Sequence, residues 1–115
     1  MTNDETLKRI AVIGSGAVGG YYGGMLAHGG HDVSFLMRAD LESVKKHGLR
    51  IFTKGNEVRL PRVAAFATTE EIGQVDVVLI AEEEARQYAE TPSLRTAARY
   101  ILSLGPKTLV VKQGS

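Results

Sequence analysis

The hydrophobic residues of the chain fall into short continuous runs separated by segments with helical spacing. Residues 10–13, 77–81 and 109–111 are apolar throughout and rich in β-branched side chains, a pattern typical of strands buried on both faces of a parallel sheet. A further strand is predicted over residues 33–37, within the segment HDVSFLMR. Parallel strands need crossover connections, which are usually helices, so the pattern predicts an α/β protein.

The segments between these runs carry the start and stop signals of helices. One helix is predicted over residues 17–28 and a shorter one over residues 40–46, and the segment TTEEIGQ predicts a short helix with a threonine cap. The last helix is predicted to have Thr91 as its N-cap and Pro92 as its first residue, and to end at Gly105. Each predicted helix therefore separates two β-like segments.

The segment LRIFTKGNEVRL places KGNE between two β-like runs and predicts an antiparallel hairpin with its turn at Gly55 and Asn56. The order is then strand, helix, strand, helix, hairpin, strand, helix and strand. This order predicts an α/β fold with a Rossmann-type doubly wound parallel sheet. The sequence contains no repeat, low-complexity segment or linker, so residues 1–115 are expected to form a single domain.

Composition narrows the classes of partner. The chain has 115 residues, of which 43% are hydrophobic, and no cysteine, so it can bury a core but cannot form disulfides or thiolate metal sites. A net charge of +1 gives no electrostatic reason to expect nucleic acid or an anionic membrane as a partner. The polar start MTNDETLKR is unlike a signal peptide, and no apolar run approaches the roughly 20 residues of a membrane span. We expect a cytoplasmic protein.

The segment GSGAVG follows the first predicted strand directly and opens the first predicted helix. A G-x-G-x-x-G segment in this context is typical of dinucleotide binding. Gly14 would let the chain turn sharply, Gly16 would leave room for a pyrophosphate, and Gly19 would let the helix pack closely on the sheet. The N–H groups at the start of the helix would bind the phosphates. A purely structural glycine turn is the alternative. The predicted cofactor-binding residues of this loop are Gly14, Ser15, Gly16, Ala17, Val18 and Gly19.

Three further glycines, Gly20, Gly23 and Gly24, lie inside the predicted helix. Each glycine within a helix costs about 0.8–1 kcal/mol relative to alanine, so the sequence implies a compensating role. We interpret them as sites where the helix packs closely against neighbouring elements. A cofactor contact beyond Gly19 is the alternative.

The end of the second predicted strand indicates which dinucleotide is bound. An NAD-specific site has an aspartate or glutamate there, whereas this chain has Met37 and Arg38, and Asp32 lies at the opposite end of the strand. The guanidinium of Arg38 has the charge and forked geometry to bind a 2′-phosphate. We therefore predict Arg38 as a cofactor-binding residue and NADP as the cofactor. A solvated surface arginine is the alternative.

The stretch RIAVIGSGAVGGYYGGMLAHGGHDVSFLMR, with the later segments HGLRI and VDVVLIA, resembles the N-terminal, NADP-binding domain of the ketopantoate reductase (2-dehydropantoate 2-reductase) family. The match is closest over residues 8–51. The resemblance implies NADPH-dependent reduction of a small 2-keto acid to a 2-hydroxy acid, the conversion of ketopantoate to pantoate in pantothenate biosynthesis. It also implies a C-terminal substrate domain beyond these residues.

The catalytic pattern of that family is matched less well. The family has a lysine just past the fourth parallel strand, where this chain has Glu82, Glu83 and Glu84, which suit a helix N-terminus. The family's later asparagine-glycine pair corresponds to the segment VVKQGS in this chain. Gln113 stands either at the position of the asparagine or at that of the residue before it. Lys112 is either a cation that approaches the ligand or a solvated terminal residue. The catalytic residues are therefore unknown, and the isolated chain is expected to be inactive.

Two other classes of function remain open at this point. One is a dinucleotide-binding or sensing module without chemistry of its own, in which the three glutamates replace a catalytic lysine. The weaker one is an S-adenosylmethionine-dependent methyltransferase, which also has a glycine-rich first loop. A cofactor domain of this kind would expose apolar surface, so self-association is expected as well.

Overall fold

The computed structural model describes residues 8–14 and 19–113. The strands are β1 (Arg9–Ile13), β2 (Asp32–Leu36), β3 (Leu49–Thr53), β4 (Asn56–Leu60), β5 (Ala64–Phe66), β6 (Val77–Ala81) and β7 (Thr108–Lys112). The helices are α1 (Gly24–His28), α2 (Leu41–His47), α3 (Thr69–Ile72), α4 (Glu82–Ala89) and α5 (Leu94–Ser103). A π-helical turn over Gly19–Gly23 leads directly into α1.

Five of the strands form one parallel sheet in the order β5-β2-β1-β6-β7. β1 is central, and its last residue, Ile13, is aligned with Leu36 of β2 on one side and Ile80 of β6 on the other. The chain therefore leaves β1 in one direction and returns to its other side later, which is the defining feature of a doubly wound sheet. The predicted α/β, Rossmann-type fold is confirmed.

Two apolar clusters, one on each face of the sheet, form the core. Phe35 and Val12, both fully buried, lie in the first cluster, which α1 and α2 cover. Ile80 lies in the second, which includes Ala85 of α4 and Ile101 of α5. Alternate residues of β1 and β6 therefore serve opposite faces, as the continuous apolar runs predicted.

The predicted hairpin exists but its turn differs by one residue. β3 and β4 pair antiparallel with Thr53 opposite Asn56, so the turn is formed by Lys54 and Gly55 and not by Gly55 and Asn56. Gly55 has a φ of +80°, which places the glycine at the second turn position. The hairpin lies outside the five-stranded sheet, as predicted.

One other prediction requires correction, and one strand was missed. The last helix begins at Leu94 with Ser93 as its N-cap, because Ser93 Oγ accepts a hydrogen bond from Thr96 N at 3.1 Å. Thr91, the predicted cap, instead accepts a hydrogen bond from Ser93 N, at 3.2 Å, in the turn before the helix. Strand β5 was not predicted at all, because it is only three residues long and has no measurable periodicity.

Gly23 and Gly24, which follow the G-x-G-x-x-G segment, lie where helix and sheet approach closely. A Cβ atom on Gly23 would lie 2.7 Å from the Phe35 ring and 2.8 Å from Val12 Cγ2. One on Gly24 would overlap the side chain of Ile51. These positions support the packing interpretation at Gly23 and Gly24 and explain why the sequence accepts the loss in helix propensity.

Candidate functional site

Gly14 is the first residue after β1 and turns the chain away from the sheet. Its φ is +97°, a backbone conformation that residues with a side chain rarely adopt. Its N–H donates a hydrogen bond to Leu36 O at 2.9 Å, which fixes the turn to the end of β2. A Cβ atom here would overlap the carboxylate of Glu84. The backbone conformation therefore requires glycine, and a side chain here would also displace the Glu84 carboxyl group.

The rest of the predicted loop is described only in part. Ser15, Gly16, Ala17 and Val18 lie outside the described residues, so their contacts with a cofactor stay predictions. Gly19 begins the π-helical turn that continues into α1. The predicted helix over residues 17–28 is thus observed from Gly19 onward as a π-helical turn followed by one short α-helix.

Arg38 lies two residues beyond β2, at the same edge of the sheet as Gly14. Its side chain is exposed, whereas the preceding Met37 is buried in the core. Met37 N donates to Phe66 O at 2.9 Å, so the backbone before Arg38 is anchored to β5. The end of the second strand therefore presents a guanidinium to solvent where NAD-specific proteins present a carboxylate.

Gly14 and Arg38 line one cavity of about 240 Å³ at the carboxyl edge of the sheet. Its floor is formed by the ends of β1 and β2, and its far wall by the first two turns of α4. In doubly wound sheets, ligands bind outside the carboxyl ends of the strands at the point where the strand order reverses. The lining residues are Ile13, Gly14, Leu36, Arg38, Ala39, Glu84, Gln87 and Tyr88.

Six of the lining residues were not assigned to a site from the sequence, and three of these lie on α4. Glu84, Gln87 and Tyr88 are three and four residues apart, so α4 presents them on one face. The expectation that the run of three glutamates begins a helix is confirmed, since Glu82, Glu83 and Glu84 form the first turn of α4. The spacing of the three lining residues was the available signal, but it gives no information on which cavity they face.

The charges in the cavity oppose each other. Partial burial raises the pKa of the Glu84 carboxyl group, and the positive charge of Arg38 opposes that rise. A carboxylate and a guanidinium thus share one small cavity. An anionic ligand is attracted by one of these groups and repelled by the other.

A second, apolar cavity of about 540 Å³ lies on the α1 side of the sheet between β6, β7 and α1. Lys112 is half-buried at its rim, with Nζ 5.9 Å from the centroid of the Tyr22 ring. The interpretation of Lys112 as a solvated terminal residue is therefore too simple. Tyr22, in the π-helical turn, is 44% exposed.

The class that these features define is a Rossmann-type α/β domain with a glycine turn and a cation at the carboxyl edge of its sheet. No helix in the described part of the chain is long and apolar enough to span a membrane. The family model described as ketopantoate reductase PanE/ApbA matches residues 10–101, which is most of the chain. The chain belongs to this family, a result that favours the reductase hypothesis over the methyltransferase alternative.

Individual relatives agree with this assignment. Over 74 residues the chain is 39% identical to the 2-dehydropantoate 2-reductase of Nostoc sp. strain PCC 7120, an alignment that covers 64% of this chain and 23% of the relative. Over 105 residues it is 38% identical to the enzyme of the same name from Mesorhizobium japonicum, covering 90% of this chain and 30% of the relative.

Solved structures give the same result for the fold. The crystal structure of 2-dehydropantoate 2-reductase from Methylococcus capsulatus superposes with a TM-score of 0.68 and 30% identity, covering 92% of this chain and 33% of that one. The chain therefore spans between 23% and 33% of the length of these three proteins.

Proposed function

We propose that residues 1–115 form one NADP-binding domain of a reductase that acts on a small 2-keto acid, resembling 2-dehydropantoate 2-reductase. The observation that carries this proposal is the shared cavity of Gly14 and Arg38 at the carboxyl edge of the sheet. A glycine turn lets a phosphorylated ligand approach the backbone, and a guanidinium binds a phosphate through two parallel hydrogen bonds.

The residues at this edge suit NADP better than NAD. The carboxylate that would bind the ribose hydroxyls of NAD is missing from the end of β2, where Met37 is buried and Arg38 is exposed. Asp32 begins β2 at the opposite edge and lies 3.4 Å from Arg9 Nε. Gln87 and Tyr88 on α4 offer a polar and an aromatic side chain to the adenosine half of the cofactor. Gly14, Ser15, Gly16, Ala17, Val18, Gly19 and Arg38 remain the proposed cofactor-binding residues.

We further propose that this chain alone does not reduce a keto acid. A reductase must stabilise the negative charge that develops on the keto oxygen, and a positioned cation or acid does this best. The helix after β6 begins with Glu82, Glu83 and Glu84, which would repel an anionic keto acid. Lys112 is directed at the Tyr22 ring in the apolar cavity. Ketopantoate reduction by this chain with NADPH would overturn this part of the proposal.

Calorimetric titration with NADPH and with NADH tests the cofactor assignment. We expect tighter binding of NADPH, and we expect Arg38→Ala to weaken NADPH binding by roughly ten- to a hundredfold while leaving NADH binding almost unchanged. Arg95→Ala is the matched control, because Arg95 is also an exposed arginine but lies on α5, outside the cavity. Equal affinity for the two cofactors, or equal effects of the two substitutions, would contradict the NADP assignment.

A non-catalytic dinucleotide-binding or sensing module is the second candidate. The acidic first turn of α4 favours it, since those residues follow the strand after which the family has a lysine. Complementation separates the two candidates: adding a purified family substrate domain restores keto acid reduction if this chain is a reductase domain. It leaves only NADPH binding if the chain is a sensing module.

Self-association and a cytoplasmic location remain predictions. Tyr21, Tyr22 and Val110 are exposed apolar side chains on the described part of the chain, which supports self-association. Sedimentation over a wide concentration range tests it, and a single monomeric species throughout would contradict it.

A further inference from the structure

Glu84 lies in the first turn of α4, but its carboxyl group is directed at the glycine turn after β1. The three atoms nearest to a Cβ position on Gly14 are Oε1, Cδ and Oε2 of Glu84. The carboxyl group therefore fills the space that glycine leaves open. In a dinucleotide-binding loop the first glycine forms the sharp turn out of the strand, so this space lies at the start of the phosphate-binding loop.

Among the described residues, those that line the cavity around Glu84 come from the end of β1, the end of β2 with the segment after it, and α4. The end of β1 contributes Ile13 and Gly14, which carry no charge, and the segment after β2 contributes Arg38. On α4 itself, Tyr88 lines the cavity with a phenol, and Arg86 is paired with Glu82 at 2.5 Å. The neighbouring acid Glu83 is exposed outside the cavity, and Arg38 is the cation that opposes the rise in the pKa of Glu84.

Any phosphate that binds beside Gly14 and Arg38 therefore meets the carboxyl group of Glu84. We propose that Glu84 is a specificity-determining residue of this site, whose carboxylate competes with a ligand phosphate for Arg38 and for the space above Gly14. This inference rests on the proposed function. It assigns to Glu84 a restraining role that the resemblance to the family does not include.

The competition acts more strongly on NADPH than on NADH. NADPH carries a 2′-phosphate in addition to the pyrophosphate, so it brings more negative charge close to Glu84. The neutral form of Glu84 does not repel the phosphate and leaves Arg38 available. NADPH binding should therefore gain from the protonation of Glu84 as the pH falls, a gain that opposes the weakening caused by protonation of the 2′-phosphate itself.

Calorimetric titration of the chain and of Glu84→Gln with NADPH and NADH tests the inference. We expect Glu84→Gln to tighten NADPH binding roughly three- to tenfold at neutral pH, and NADH binding by less. Glu83→Gln is the matched control, because it removes the same charge from the neighbouring residue, whose side chain is exposed and lies outside the cavity. In Glu84→Gln, the pH dependence that remains should be that of the ligand alone.

A double-mutant cycle separates competition for Arg38 from a general effect of charge. In an Arg38→Ala background, Glu84→Gln should tighten NADPH binding by less than it does in the unmodified chain. Unchanged or weaker NADPH binding in Glu84→Gln, or an equal gain in Glu83→Gln, would overturn the inference while leaving the proposed function intact. If the unmodified chain and all variants fail to bind NADPH, both fail.

A measurement without cofactor gives an independent test. The titration of the Glu84 carboxyl carbon can be followed by nuclear magnetic resonance in the free protein. Because Arg38 opposes the rise in the pKa of Glu84, Arg38→Ala should raise that pKa further. An unchanged pKa would show that Arg38 and Glu84 do not interact and would overturn the inference. Thermal unfolding of each variant verifies that it is folded.

Discussion

Helices α3 and α4 both begin at the carboxyl edge of the parallel sheet with glutamates in their first turn, but they use these residues in opposite ways. In α3, Glu71 Oε1 accepts hydrogen bonds from Ala67 N and Thr68 N, each at 3.1 Å. In return, Glu71 N donates to Thr68 Oγ1, which completes a capping box. In α4 the N-cap is Ala81, whose side chain makes no capping hydrogen bond, and Glu84 is directed into the cavity.

The two environments shift the pKa values of these carboxyl groups in opposite directions. Hydrogen bonds from the backbone of Thr68 and Ala67 lower the pKa of Glu71. Burial raises the pKa of Glu84, against the influence of Arg38. An acid in the first turn of a helix is therefore not always a cap. At the α3 terminus a capping box binds backbone N–H groups, whereas the α4 terminus has no side-chain cap and presents an acid to the cavity beside Gly14.

The largest expected effect comes from filling the space between Gly14 and Glu84. Gly14→Ala introduces a side chain at a φ of +97°, which costs roughly 1–3 kcal/mol, and it also displaces the Glu84 carboxyl group. Gly30→Ala is the matched control, since Gly30 has a φ of +96° but no atom within 4 Å of the Cβ position. Urea unfolding should show a greater loss of stability for Gly14→Ala.

Adding Glu84→Ala to Gly14→Ala should restore the part of that loss that comes from overlap and leave the backbone strain. Equal free energies of unfolding for Gly14→Ala and Gly30→Ala would contradict the close approach of Glu84 to Gly14.

The next effect is the loss of the cap on α3. Thr68→Ala removes the side-chain oxygen that accepts from Glu71 N at 3.3 Å and should lower the free energy of unfolding by about 1 kcal/mol. Thr68→Ser keeps the hydroxyl group and should recover most of the stability. At the uncapped α4 terminus, Ala81→Gly should change stability much less than Thr68→Ala does. Equal losses at the two termini would remove the distinction between them.

A smaller effect distinguishes the two acids by pH. The pKa of Glu84 is raised in the folded chain, so its contribution to stability is present below the pKa of an unfolded glutamate and is lost as the pH rises through the raised value. Glu84→Gln should therefore gain stability relative to the unmodified chain as the pH increases from acid to neutral. Urea unfolding over a pH series measures this difference. A loss of stability of Glu84→Gln relative to the unmodified chain as the pH rises would contradict the expectation.

The smallest effect is expected at Glu71, with the opposite sign. Its pKa is lowered in the folded chain, so its contribution is present above the unfolded pKa and is lost as the pH falls through the lowered value. The advantage of the unmodified chain over Glu71→Gln should be present at neutral pH and should disappear in acid. The glutamine keeps an acceptor oxygen for the capping box, so the comparison isolates the charge. A difference that is constant across the pH series would contradict the assignment.

The parts of the fold that the sequence predicts well are those in which one local pattern dominates. β1, β6 and β7 are continuous apolar runs, and each was placed within one residue of its observed ends. β5 was missed because three residues cannot display a period. The cap of α5 was misplaced because Thr91 and Ser93 are both good capping residues, and only the geometry of the turn determines which one the helix uses.

The candidate site follows the same rule. Gly14 and Arg38 could be predicted because the first belongs to a motif and the second occupies a defined position after a strand. The contact of Glu84 with Gly14 could not be predicted, because the two residues are far apart in the sequence and only the pairing of β1 with β6 brings them together. The pairing also sets the direction of the pKa shift of Glu84, which depends on burial and not on the sequence near it.

Amide chemical shifts recorded during titration with NADPH test the central claim most directly, because they locate the ligand on the chain. We expect the largest shifts at Gly14, Arg38 and Gln87, around the cavity beside α4, and small shifts at Thr68 and Glu71 in the capping box of α3. The largest shifts at the start of α3, or saturating binding with no change at Gly14 and Arg38, would contradict the claim.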